Sequence, residues 1–297
     1  MTMTVRFDPA APYEVDQEDV VFAKPDGKEL LARVYRPRGE AAAPLMALVD
    51  VHGGAWNRGD HTSGALHGKA LAASGLVVVS LGFRQGPEHQ YRAASQDVAA
   101  GVRYVRAHAR RLSIDPARVG LIGSSSGGQL VLLAGVKPGA PEHAGTPIVL
   151  PNGSLDTSPG DESVRFVVAL YPVADPLARY RYAESRLNDA GFDAKRFIES
   201  HRAFFPDEAA MESVSITRIV AAKEATTLPP VWVAQPEVDD NVPAEITAAF
   251  VRAYRAAGGH LDLVPFPGAK HGFIGQASPA TDKALSLIRD FVGKFGA

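Results

Sequence analysis

Short, nearly continuous apolar runs recur along this chain with helical periodicity between them, and few folds accommodate that pattern. "LMALVDVH" (45–52) and "LVVVSLGF" (76–83) are the plainest runs. "RVGLIG" (118–123), "RFVVALYP" (165–172), "PVWVAQP" (230–236) and "LDLVPFP" (261–267) continue the series. A strand that is apolar at every position must be covered on both faces, as a central strand of a parallel sheet is. Helices are predicted over 63–74, 94–111, 126–136, 243–257 and 279–295, the second with Val98, Val102 and Val105 on one face. Strand, helix, strand in succession gives the α/β class: a mostly parallel central sheet with helices on both faces and right-handed crossovers. "EDVVFA" (18–23) and "LLARVYRP" (30–37) flank "KPDG" as a hairpin, so antiparallel strands are expected at one edge.

Two segments break the alternation. Residues 138–164 are rich in Pro, Gly, Ser and Thr and read as a long loop, either ordered by packing or mobile. Residues 175–228 have helical stretches but no convincing strand. An insertion at the C-terminal ends of two strands lies over the active face, so this one reads as a cap or lid within a single domain spanning 1–297.

The bulk numbers exclude several classes. The net charge is −2, with no basic or acidic block, so nothing draws the chain to nucleic acid or a membrane surface. There is no cysteine, which removes disulfides, thiolate nucleophiles and thiolate metal sites. The first twenty residues do not read as a signal peptide, and no apolar stretch approaches the ~18 residues of a membrane span. A cytoplasmic protein is the expectation.

"LIGSSSGGQL" (121–130) then stands out. It is not a phosphate-binding loop, because Gln129 and Leu130 follow the glycines where a lysine is needed. It is not a linker, because a buried-type strand precedes it and an apolar helix follows. What remains is G-x-S-x-G between strand and helix, a tight turn that presents one serine as a nucleophile. The spacing of Gly123 and Gly127 selects Ser125 over Ser124 and Ser126.

A serine hydroxyl needs a base, and the base an orienting acid; both follow the serine in this architecture. Of His143, His201, His260 and His271, only His271 sits on a loop at the C-terminal end of the last strand. The acid belongs after the preceding strand, among Glu237, Asp239 and Asp240; Asp239 is preferred and Asp240 is second. "VHGGAW" (51–56) follows the first buried strand, and its small residues let backbone N–H groups approach a developing oxyanion. Gly54, Ala55 and Ser126 are the expected oxyanion donors. His52 is expected to buttress that loop. Trp56 is either a loop anchor or a wall of the substrate pocket. No metal site is expected; His61 and His67 read as surface or loop residues.

These motifs together resemble the α/β-hydrolase superfamily, in particular the hormone-sensitive-lipase-like bacterial esterases and their feruloyl-esterase-like and kynurenine-formamidase-like relatives. "HGGAW" is similar to HGG[GA]W, "FRQGPEHQYRAASQDV" (83–98) to the YRLAPE segment, "GSSSGG" to GDSAGG, and "HGF" (271–273) to the histidine motif. "DDNVP" (239–243) is similar to D-x-x-V-P, which again selects Asp239. The likeness covers roughly 18–295. Ser124 and Ser126 depart from it, standing where the lipase-like group has Asp and Ala, so hydrogen bonding around the turn must differ. The resemblance implies an α/β-hydrolase fold and a serine carboxylesterase without cofactor, acting on small or medium esters through an acyl-enzyme. It implies a lid at 175–228. The aromatic residues there ("RYRY", "RAFF") either line an acyl or alcohol pocket or form the lid's own small core, the core being preferred for Phe204 and Phe205. An amidase with the same triad is the alternative, and a non-catalytic binding protein the third reading. The final helix is expected to pack on the sheet, with a homodimer open.

Overall fold

The computed structural model describes residues 3–296. Its strands are β1 (Thr4–Val5), β2 (Val15–Ala23), β3 (Leu30–Pro37), β4 (Glu40–Ala41), β5 (Leu45–Val51), β6 (Val77–Leu81), β7 (Ile114–Ser124), β8 (Ile148–Val149), β9 (Leu155–Asp156), β10 (Val167–Leu170), β11 (Val231–Val238) and β12 (Leu261–Lys270). The α-helices are α1 (Ala65–Ala72), α2 (Ala93–Ala107), α3 (Ala109–Leu112), α4 (Ser126–Val136), α5 (Pro176–Ser185), α6 (Ala194–Phe204), α7 (Glu208–Ser213), α8 (Ile216–Ala221), α9 (Ala244–Ala256) and α10 (Pro279–Phe295).

Ten strands form one sheet in the order β12-β11-β10-β7-β5-β6-β3-β2-β8-β9. From β12 to β6 every pairing is parallel. The β2–β3 hairpin joins antiparallel to β6, which makes the expected mixed edge. Each apolar run sends alternate side chains to opposite faces. Ala47, Val49 and Val51 of β5 join one core cluster, with residues of α2, α4 and α9; Met46 and Leu48 join the other, with residues of α1 and α10. α10 spends its apolar face on this second layer, where Phe291 meets Phe166 edge-on at 5.8 Å. Among the described residues no helix is long and apolar enough to cross a membrane.

The segment 138–164, expected as a loop, is mostly loop, but it also adds the two-residue β8 and β9 to the sheet, through Ala23 opposite Ile148. Two arginines on α2 fasten it. Arg103 donates to the carbonyls of Thr146 (2.7 Å) and Ser158 (3.0 Å), and Arg106 to those of Asp161 (2.8 Å) and Ser163 (2.7 Å). Residues 175–228 are helical, as expected, and fill the chain between β10 and β11.

Candidate active site

β7 ends at Ser124 and α4 begins at Ser126, so Ser125 alone makes the turn, at φ 52° and ψ −114°. A positive φ on a serine stores about 1–3 kcal/mol of strain. The end of β10 and the chain after it hold it there: the Ser125 N–H donates to the Leu170 carbonyl (2.8 Å), and the Ser125 carbonyl accepts from the Val173 N–H (3.1 Å). The flanking glycines are required by close approach. A Cβ on Gly127 would stand 2.1 Å from the Val51 carbonyl oxygen, and one on Gly123 2.6 Å from that of Gly127.

His271 immediately follows β12, and Asp239 immediately follows β11. The structure brings both to Ser125. His271 Nε2 lies 2.9 Å from Ser125 Oγ, and His271 Nδ1 lies 2.9 and 3.1 Å from the two carboxylate oxygens of Asp239. A carboxylate only accepts, so Nδ1 carries the proton and Nε2 is the acceptor facing the serine. The Asp239 side chain is 1% exposed. Its Oδ1 also accepts the N–H groups of Asn241 (2.9 Å) and Val242 (2.8 Å). Asp240 and Glu237 are exposed, and the Glu237 carboxylate accepts the Gly268 N–H at 2.7 Å. Tyr171, which the sequence did not flag, packs edge-on to the His271 ring at 4.8 Å.

The loop 52–56 comes alongside. Gly54 and Ala55 line a cavity of about 200 Å³ together with Ser125 and His271. The N–H groups of Gly54, Ala55 and Ser126 find no acceptor among the described residues. Ser126 opens α4, whose N-terminal dipole favours negative charge. The two serines that depart from the lipase-like pattern hold this loop from both ends. Gly53 N–H donates to Ser124 Oγ (3.0 Å) and Trp56 N–H to Ser126 Oγ (3.2 Å).

Trp56 is not a wall of the cavity. It is fully buried, donates through its indole N–H to Gln129 (3.1 Å), and stacks on Phe204 at 5.5 Å with Phe205 edge-on at 5.0 Å. Phe204 and Phe205 therefore do not close a core of the helical insertion alone; they bind α6 to the glycine loop. Asn57 adds a bond from its side-chain amide to the Ser200 carbonyl (2.8 Å). His52 stacks on Phe83 at 4.3 Å with Nδ1 2.7 Å from the Gly53 carbonyl, and burial lowers its pKa, so it stands as a neutral buttress. His67 is a correction to the surface reading. It is buried on α1, 3.0 Å from Asp50, whose other oxygen accepts Ser80 Oγ (2.7 Å). His61 does lie in a loop, 3.4 Å from Asp19.

The insertion also supplies cavity residues that the sequence did not single out. Arg179 of α5 and Phe197 and Ser200 of α6 line it, with Asn241 from the acid loop. Burial pulls the Arg179 pKa down to about 9, so the guanidinium stays charged at neutral pH.

Residues 33–254 match the BD-FAE family. The chain is 30% identical over 276 residues to "Esterase LipC" of Mycobacterium tuberculosis, covering 89% of this chain but 62% of that longer relative. It is 26% identical to "Ethyl acetate hydrolase" of Pseudomonas putida, over 91% of this chain and 80% of that one. Among solved structures it is similar to EstE1, a thermophilic carboxylesterase cloned from a metagenomic library, with a TM-score of 0.75 at 22% identity, covering 97% of this chain and 91% of that one. With three quarters of its length matched and the strand order given above, the chain belongs to the BD-FAE family and has the α/β-hydrolase fold.

Proposed function

We propose that the protein is a serine carboxylesterase that cleaves small carboxylic esters through an acyl-enzyme, with Ser125, His271 and Asp239 as its triad. The observation that carries this reading is the continuous chain from Ser125 Oγ through His271 to Asp239, at a cavity lined by Gly54 and Ala55, whose N–H groups, like that of Ser126 at the start of α4, have no acceptor among the described residues. Relatives named as ester hydrolases support the bond type.

Ser125 Oγ attacks the ester carbonyl carbon while His271 Nε2 takes its proton. The carbonyl oxygen becomes an oxyanion, which the N–H groups of Gly54, Ala55 and Ser126 receive. Asp239 stabilises the imidazolium that forms. His271 then passes the proton to the alkoxy oxygen, the C–O bond breaks, and the alcohol leaves. Water enters, gives its proton to His271, attacks the acyl carbon and releases the acid. The helices at 175–228 act as a lid that is fastened at Trp56 and Asn57 and limits substrate size.

Wild type and Ser125→Ala are compared on para-nitrophenyl butyrate and butyryl-para-nitroanilide. A fall of about a thousandfold or more in ester turnover is expected, because no other group forms the acyl-enzyme. Ester turnover is expected to exceed anilide turnover, since an amine leaves poorly without full protonation. A folded Ser125→Ala that keeps wild-type ester turnover refutes the assignment. Faster anilide cleavage makes the protein an amidase.

A further inference from the structure

The cavity beside Ser125 is cationic. Arg58, Arg179 and Arg196 line it, and among the described residues no Asp or Glu does. Arg179 is the unusual one, at 2% exposed. Its Nε donates to the Asn241 carbonyl at 3.0 Å and Nη2 donates to the Asn241 side-chain oxygen, while Nη1 has no partner. Both acceptors are neutral. No carboxylate pairs with Arg179, and Asp239 is already engaged by His271 and two backbone N–H groups. The Asp239 charge favours the charged guanidinium but serves His271 and forms no ion pair with Arg179; a buried cation without a directly paired carboxylate is costly, and clamping Asn241 does not require a cation.

The surroundings aim more positive charge at the same place. Two guanidinium groups pack on the Phe197 ring, Arg179 at 4.6 Å and Arg196 at 4.8 Å from its centroid. Arg196 and Arg58 are exposed, and Arg58 pairs with no acidic side chain among the described residues. Cations at an exposed rim with another buried behind them draw an anion inward.

We infer that the ester cleaved at Ser125 carries a carboxylate a few carbons from the scissile bond, and that Arg179 binds it. This rests on the ester-hydrolase reading above and adds the substrate class: a short half-ester of a dicarboxylic acid, or an ester of a short hydroxy acid. The cavity, about 200 Å³, limits both to short chains. Arg58 and Arg196 steer the anion to the mouth.

Two pairs of near-isosteric esters test this, followed by proton release. Monomethyl succinate against methyl succinamate places the charge on the acyl side. Acetoxyacetate against acetoxyacetamide places it on the alcohol side. Wild type is expected to favour the charged member of one pair by about tenfold or more in kcat/KM, the worth of a hydrogen bond to a charged group. The pair that shows the preference identifies the side. In Arg179→Met the charged-to-neutral ratio is expected to fall to near one, chiefly through KM. A purely structural role for Arg179 lowers both members alike and leaves the ratio intact, which overturns the assignment. If Arg179→Met does not fold, Arg58→Gln/Arg196→Gln is measured instead; the salt dependence of the charged substrate's kcat/KM is expected to flatten. An unchanged salt dependence overturns the steering and with it the inference. Equal rates for charged and neutral members in wild type overturn the carboxylate while Ser125-dependent cleavage of para-nitrophenyl butyrate leaves the esterase reading standing. Loss of that dependence removes both.

Discussion

Replacing Asp239 by asparagine exchanges one oxygen for an NH2 group, and the surrounding bonds dictate where that group goes. Oδ1 accepts two backbone N–H groups, from Asn241 at 2.9 Å and Val242 at 2.8 Å, so the amide oxygen must stay there. The NH2 then takes the Oδ2 position, 2.9 Å from His271 Nδ1. It can only donate, so Nδ1 must accept and the ring proton moves to Nε2. That proton now points at Ser125 Oγ from 2.9 Å, and the imidazole can no longer take the serine's proton. Loss of the correct tautomer lowers kcat by about ten-thousandfold, roughly 5.5 kcal/mol of barrier. Asp239→Ala gives a different result. It imposes no tautomer, so it is expected to retain more activity than Asp239→Asn. It also strips the acceptor from two N–H groups, each worth about 1–3 kcal/mol when left buried and unpaired, so it is expected to be the less stable variant. Activity and stability should therefore rank the two variants in opposite order. Turnover of para-nitrophenyl butyrate at neutral pH and a thermal melt measure both. An Asp239→Asn enzyme within tenfold of wild type, or one more active than Asp239→Ala, refutes the tautomer argument and makes Asp240 the next candidate.

Three further outcomes are expected. Ser124→Ala and Ser126→Ala each release one end of the glycine loop; each is expected to lower kcat by about tenfold with KM little changed, since a displaced oxyanion donor is felt in the transition state, and a double-mutant cycle should show the two losses coupled, whereas simple additivity would mean that they do not hold one element. Gly127→Ala places a methyl group 2.1 Å from the Val51 carbonyl, and is expected to yield insoluble or unfolded protein; a soluble, active variant refutes the packing argument. His201 is held neutral, its pKa lowered from 6.5 to about 3 by burial and then by the Arg179 charge; below pH 6.5 the unfolded chain takes up a proton the folded one refuses, so stability falls as pH drops from 6.5 toward 3, by up to about 1.4 kcal/mol per pH unit. His201→Phe should flatten that slope by one proton in urea melts at stepped pH, and an unchanged slope refutes it.

The parts of this molecule that the sequence makes legible are those where one backbone event forces a residue type. α4 runs over the predicted 126–136 because Gly123, Ser125 and Gly127 each answer to a steric limit at the turn. His271 and Asp239 are readable because each is the first residue after a strand that periodicity already locates. The failures have a common cause. β8 and β9 are two residues each, too short to show any period, and their ordering comes from arginines on a distant helix. β7 starts at Ile114, four residues before the apolar run, because a register shift against β5 takes up Pro116 without breaking the strand. The helix read over 94–111 is interrupted at His108, whose φ of −100° and ψ of 15° separate α2 from α3. Trp56 is the instructive case. Its neighbours in sequence are glycine-loop residues, yet its neighbours in space are Phe204 and Phe205, about 150 positions later. Arg179 is the same problem with charge in place of packing. An arginine on a helix reads as solvated, and only the fold reveals that α5 lays this one, with its Nη1 unpartnered, against the cavity of Ser125. The triad candidates sit at strand ends and can be read from the chain. Arg179, Arg196, Phe197 and Ser200 reach the cavity from the insertion, where no periodicity marks them.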